Sequence, residues 1–195
     1  MQTDDTKTPE YIPSWEVLAD LVERADAARV EEYLEHLSPA ETARAISRLD
    51  DETRTRLLTL LSAEDAAEVL RDLPEQQAAD LIGDLAPSAA AAIVDQLPAD
   101  EQADLLGEVE DTEAEAILEA MPSEEAEQAR ALLLFPRDSA GGLMTTEFLA
   151  YRETMTIGQV LADMEMNSET YSDYEIQYSY ITDANGSLQG VLRMR

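Results

Sequence analysis

Large apolar residues recur every twelve positions from Leu37 to Met121, and this period constrains the fold more than any other feature of the chain. The marks are Leu37, Leu49, Leu61, Leu73, Leu85, Leu97, Val109 and Met121. Nine residues after each of the first seven marks comes a second column, Ile46, Leu58, Leu70, Ile82, Val94, Leu106 and Leu118. A third sits one place earlier, at Leu57, Val69, Leu81, Ile93, Leu105 and Ile117. Self-similarity at a fixed period means one short unit stacked many times. Turn and capping residues follow the marks, as in LSPAE, LDDET, LSAED and LPEQQ. Ser38, Pro39 and Glu41 make a capping box around a proline in the first helical position, and Ser62 with Asp65 makes a weaker one. Pro74, Pro98 and Pro122 stand directly after a mark, where a helix can begin but hardly continue. The alanine pairs Ala66 and Ala67, Ala78 and Ala79, and Ala90 and Ala91 leave room for close helix approach. Helices of about two turns do not hold alone and must be held by their neighbours. The expected fold is mainly α, a superhelical array of short antiparallel helices with a twelve-residue period. Right- and left-handed forms both stay open.

Outside the array the reading is more local. Residues 1–13 read as a flexible lead. Ser14 is the expected N-cap of a first helix with Trp15, Leu18, Leu21 and Val22 on one face. A break near Ala25, with Asp26 as cap, precedes a helix carrying Val30, Tyr33, Leu34 and Leu37. Glu115, Glu127 and Arg130 replace apolar or small residues of the repeat, as a terminal unit with a polar outer face would require. Ala129 to Phe135 reads as the last helical stretch, stopped by Pro136. Ser139-Ala140-Gly141-Gly142 is a break expected to need glycine's backbone freedom. A helix opens at Thr156 and continues to Met166. Gln177 to Thr182 then reads as a strand, Asp183-Ala184-Asn185-Gly186 as a hairpin turn, and Leu188 to Met194 as the returning strand. The expected division is therefore a lead over 1–13, a helical repeat domain over 14–136, and a linker with an incomplete α/β unit over 137–195.

Charge narrows the function. Forty-three acids against 13 bases give a net charge of −30 and an isoelectric point near 4.1. Such a field repels phosphate backbones, which argues against nucleic acid as a partner. Lys7 is the single lysine and the other bases are arginine, a whole-chain bias that fits adaptation to a salt-rich cytoplasm. An acidic surface also attracts divalent cations, and the two readings are compatible. There is no cysteine for a disulfide or a thiolate metal site, and the lone His36 reads as helix surface. With no phosphate loop and no nucleophile paired with a base, the sequence weighs against an enzyme. No window approaches the ~18 to 20 apolar residues of a membrane span, and the polar N-terminus is unlike a signal peptide. The expectation is a soluble cytoplasmic chain, or the cytoplasmic part of a larger protein.

The array followed by FPRDSAGGLMTTEFLAYRETMTIGQVL resembles the cytoplasmic region of MgtE-type magnesium transporters and channels, an α-helical N domain followed by paired CBS domains. The most specific stretch is SAGGLMT, from Ser139 to Thr145. YSYITDANGSLQGVLRMR, from Tyr178 to Arg195, looks like the second and third strands of a first CBS motif. The resemblance implies a magnesium-sensing regulatory region that acts on a pore outside this chain. It also implies partners in a second CBS domain and a transmembrane domain of the same protein, and a homodimer on the cytoplasmic side of the membrane. It carries Mg2+ as a regulatory ion onto Glu68, Asp100 and Asp104, and more weakly onto the Gly142 carbonyl. Independently of the family, Asp100 and Asp104 are four apart on one helix face, so both carboxylates can reach one hydrated ion. CBS motifs elsewhere bind adenine nucleotides just after the third strand, a stretch that here reads GVLRMR and ends. The repeat also resembles the short-helix units of flagellar motor switch proteins, which gives an alternative: a protein–protein scaffold. That alternative leaves 138–195 unexplained.

If the acid excess serves a salty cytoplasm, helicity by circular dichroism should fall as potassium chloride drops from molar to about 0.1 M, where repulsion is felt over ~10 Å. Millimolar magnesium should then restore part of it. Full helicity at low salt without divalent ions would contradict the halophilic reading.

Overall fold

A computed structural model describes residues 13–168, 171, 174 and 176–194. Apart from Pro13, the expected flexible lead lies outside the described residues. Among the described residues ten short helices come first: α1 (Ser14–Glu23), α2 (Ala27–Glu35), α3 (Pro39–Ile46), α4 (Asp51–Leu60), α5 (Ala63–Arg71), α6 (Glu75–Gly83), α7 (Pro87–Val94), α8 (Ala99–Leu106), α9 (Asp111–Ala120) and α10 (Ser123–Leu133). They are followed by β1 (Leu149–Arg152), α11 (Ile157–Met166), β2 (Tyr178–Thr182) and β3 (Leu188–Arg193).

The capping residues set the helix starts. Ser38 N–H donates to Glu41 Oε2 at 3.0 Å and Ser38 Oγ donates to the same oxygen at 2.6 Å. Asp50 Oδ1 accepts from Thr53 N–H at 2.9 Å, and Ser62 Oγ accepts from Asp65 N–H at 3.1 Å. The first helix departs from expectation. Its N-cap is Pro13, whose carbonyl accepts from Glu16 N–H at 3.0 Å, so Ser14 is already helical and caps nothing with its side chain. Ala25 sits at φ 53°, the left-handed conformation that ends a helix, and Asp26 Oδ1 then accepts from Arg29 N–H at 3.4 Å to start α2. α10 begins at Ser123, six residues earlier than the expected last helix, because the twelve-residue grammar of Pro122 and Ser123 persists through it.

The apolar columns become the core. Every member of the two later columns is buried, and so is every mark except Leu37, which lies half-buried at the start of the array. Ala66, Ala67, Ala78, Ala79, Ala90 and Ala91 are buried as well. Alternate helices pack together, α5 against α7 and α7 against α9, while α1 lies against α2, α3 and α4. Small alanines allow this close approach, and each fully buried Leu or Ile adds about 1.5–3 kcal/mol. The columns thus supply what two-turn helices lack by themselves.

The chain divides into two compact units, one running to Leu97 and resuming over Asp104–Ala126, the other comprising Pro98–Ala103 and the chain from Glu127 onward. In the second unit the sheet order is β1-β2-β3, with β1 parallel to β2 and β2 antiparallel to β3. The β2–β3 turn falls where the sequence places it. Asp183 Oδ1 accepts from Asn185 N–H at 2.8 Å and from Ser187 N–H at 2.9 Å, and Gly186 takes φ 82°. Thr156 and Gln159 form a capping box for α11. Gly141 and Gly142 need space, not the conformational freedom expected of them, since neither has positive φ. A Cβ on Gly142 would stand 2.5 Å from the Pro136 carbonyl oxygen and 2.7 Å from Arg137 Cα, and one on Gly141 would run into the Phe135 ring.

Two stability measurements test this packing. Leu58→Ala, at a site 2% exposed, should cost about 2–5 kcal/mol in denaturant unfolding, and Leu37→Ala clearly less. Equal losses would contradict the column assignment. The second concerns Asp95, which closes α7 at the end that disfavours negative charge. Burial first, then the Glu125 carboxylate, pushes its carboxyl above the usual range. A raised folded-state pKa stabilises the fold below the unfolded value near 3.8, and that contribution is lost as pH rises through the folded value. Asp95→Asn should therefore be more stable than the parent at pH 7, with the difference closing toward pH 4. A difference independent of pH would contradict this account.

Candidate functional site

The three carboxylates singled out from the sequence fall on two helices, α5 and α8. Asp100 and Asp104 lie on α8, whose Ala99, Gln102, Leu105 and Leu106 are buried. Burial of these four holds the helix in a fixed rotation and leaves Asp100, Glu101 and Asp104 half-buried, neither lost in the core nor fully in water. Residues four apart on one helix have Cβ atoms about 5–6 Å apart, so the Asp100 and Asp104 carboxylates lie on one face. Asp100 also stands in the first helical turn, where exposed N–H groups favour negative charge.

Glu68 is exposed on α5 and lines a groove of about 360 Å³ in the first unit. Glu31, Glu35, Asp65 and Asp72 share its walls with Arg71, over an apolar floor. A second acidic recess of about 410 Å³ is lined by Asp80, Asp84, Glu108 and Glu113, with Arg54 among them. Arg54 pairs with Asp51 in one turn of α4, and its side chain is 24% exposed. Gly142 belongs to the second unit. Its N–H donates to the Ser139 carbonyl at 3.1 Å and lies 3.3 Å from Ser139 Oγ, which itself donates to the Pro136 carbonyl at 2.6 Å.

Among the described residues, no three acidic or histidine side chains converge tightly enough to hold a metal ion. The α8 carboxylates are a pair and not a cage. A pair suits magnesium, which dehydrates reluctantly and is commonly held by one or two carboxylates while keeping several waters. It would suit zinc poorly, since zinc favours a closed set of nitrogen and sulfur ligands. His36 is exposed at the end of α2, consistent with a surface role.

Two groups escaped the sequence reading. Glu147 Oε1 accepts from Ala99 N–H, the first amide of α8, at 3.0 Å. Nothing in the local pattern announces this contact, because the partners are 48 residues apart. In the α/β unit, Asp163 accepts from Tyr171 Oη at 3.1 Å and Asn167 Nδ2 at 3.0 Å. Burial, with the Asp163 carboxylate nearby, pushes Tyr151 up to about 12, so its phenol stays neutral.

Three comparisons bear on this arrangement. Residues 37–138, just over half the chain, match the family model of the MgtE intracellular N domain. The magnesium transporter MgtE of Thermus thermophilus is 41% identical over 71 residues, which are 35% of this chain and 15% of that protein. The chain thus spans a small part of its curated relative. The crystal structure of the cytosolic domain of the Mg2+ channel MgtE in complex with ATP matches with a TM-score of 0.76 and 32% identity, covering 92% of this chain and 73% of that one. The soluble part of a magnesium transporter matches with a TM-score of 0.71 and 23% identity, over 92% of this chain and 70% of that one, a likeness of fold. The mainly helical array with a small three-stranded sheet is the architecture of the first of these structures. With the array matched over 37–138 and 32% identity across 92% of the chain, the protein belongs to the MgtE family and its repeat is an MgtE intracellular N domain.

Proposed function

We propose that this chain is a magnesium-sensing regulatory region that acts on a membrane pore carried elsewhere in the same protein, and that it does no chemistry of its own. The observation that carries the reading is the Asp100 and Asp104 pair, half-buried on one face of α8 within an MgtE N domain. Half-burial raises the local field of the carboxylates above that of a fully solvated face, while leaving room for a hydrated ion. The similarity to the cytosolic domain of a Mg2+ channel supports the same reading. Among the described residues no helix is long and apolar enough to cross a membrane, so a pore would have to be supplied by other segments.

The mechanism follows from charge. At −30 the acidic faces of the chain repel one another, and a divalent ion held between carboxylates removes that repulsion locally. Asp100 and Asp104 would supply two ligands from α8, Glu68 and the Gly142 carbonyl are separate candidate ligands, and the remaining acids would come from a second CBS domain. On this reading residues 14–136 are the sensing array, 137–195 the linker and the beginning of a first CBS domain, and the working protein is a homodimer at the cytoplasmic face of the membrane. High magnesium would draw the acidic surfaces together and close the pore.

Titration with magnesium at high potassium chloride, followed by backbone NMR shifts, tests the proposal. Amides around Asp100 and Asp104 should move and saturate. Asp100→Asn or Asp104→Asn should each weaken the response by about tenfold, the loss of one charge-assisted ligand worth ~1.5 kcal/mol. No perturbation near either residue, both in this chain and in a longer one carrying a second CBS domain, would sink the sensing reading.

A further inference from the structure

The residue after each mark of the array opens a helix, at positions 38, 50, 62, 74, 86, 98, 110 and 122. At Asp50 and Ser62 the side chain of that residue accepts a backbone N–H of the first turn. At α8 the position holds Pro98, whose side chain has no acceptor. The acceptor comes from elsewhere. Ala99 N–H, the first of the helix, donates to Glu147 Oε1 at 3.0 Å in a part-buried setting. Glu147 is itself held on either side. Thr146 Oγ1 donates to Gln128 Oε1 at 2.9 Å, and Leu149, which begins β1, is 2% exposed.

From this geometry we infer that Glu147 is a positioning residue for cation binding on α8, capping from a distant segment the helix that carries Asp100 and Asp104. The inference rests on the magnesium reading above. A carboxylate at a helix N-terminus both satisfies an orphan amide and complements the helix dipole. Here it does so at the residue immediately before Asp100. Losing the cap frays the first turn, and Asp100 lies in that turn, so the spacing of Asp100 from Asp104 is no longer fixed. The same bond ties α8 to the segment entering β1, two residues further on. A change in the first turn of α8 on cation binding is therefore delivered directly to the sheet. α3, α4 and α5 are capped from within their own first turns and α6, α7 and α9 have no side-chain cap bond; among the described cap bonds of the array, that of α8 comes from the α/β unit's leading segment.

The test uses the whole chain, backbone NMR and magnesium chloride as the probe. Without magnesium, Glu147→Ala should raise the exchange rate of the Ala99 amide about fivefold, the ordinary consequence of a lost cap. With magnesium, the midpoint for the Asp100 and Asp104 amides should rise about tenfold, as for loss of an outer-sphere partner. Amide shifts in α4 and α5 should stay in place. Glu147→Gln retains an acceptor oxygen without the charge, so it should recover Ala99 protection and most of the magnesium response; it also carries the comparison if the alanine variant does not fold. An unchanged magnesium midpoint in Glu147→Ala, with Ala99 exchange raised, would show a cap of purely structural effect and overturn the inference. Unchanged Ala99 exchange would overturn it as well. A parent chain without any α8 response to magnesium would sink the sensing reading itself, and the positioning role with it.

Discussion

Helices of two turns cannot stand alone in water, and everything in the first unit depends on how that shortage is met. Each of α3 to α9 buries two adjacent columns of apolar side chains, and a mark closes each turn between them. Alanine pairs bring alternate helices into contact. The result is a scaffold with a core fixed by a period, which leaves the intervening positions free to be acidic. On the proposed reading, those positions carry the function. A chain can hold a net charge of −30 only if its fold is secured by contacts that do not involve the charges.

The acids are not equivalent on this scaffold. Most are exposed, and the resolved pKa shifts among them follow from local contacts. Glu41 and Asp50 are held low first by hydrogen bonds at their helix starts, whereas Asp95 is pushed up by burial and by Glu125. Asp100 and Asp104 differ by their place on a helix whose inner face is fully buried and whose first amide is held by Glu147. On the proposed reading, fixed geometry is what separates this pair from the many i, i+4 acid pairs expected in so acidic a chain. Electrostatics supplies attraction everywhere on the surface; the fold supplies position at α8.

Much of the array was legible because it repeats. The three columns, the capping roles of Ser38, Ser62 and Asp26, and the break at Ala25 follow from local periodicity and cap chemistry. In the α/β unit, Thr156 and the Asp183–Gly186 turn were equally readable. β1 was not assigned, because four residues between Phe148 and Glu153 carry too little pattern, and its pairing partner lies about thirty residues on. Gly141 and Gly142 were recognised as special for the wrong reason: crowding by Phe135 and Pro136 comes from tertiary folding and leaves no local mark. Ser14 was misplaced by one position because the Pro13 carbonyl already begins the helix. Candidate ligands at Glu68, Asp100, Asp104 and Gly142 came from family resemblance, and spacing alone supported just the α8 pair. Glu147 was invisible for a plain reason: a bond across 48 residues has no sequence signature.

The central claim is that a cation is positioned on α8 and not spread over the acidic surface. Manganese substituted for magnesium at high potassium chloride distinguishes the two through paramagnetic broadening of backbone amides. The account predicts broadening concentrated on residues 99–105 at the lowest manganese levels and displaced by magnesium. Broadening that instead tracks exposure across Glu32, Glu52, Glu64 and Glu113, with no preference for α8, would contradict it.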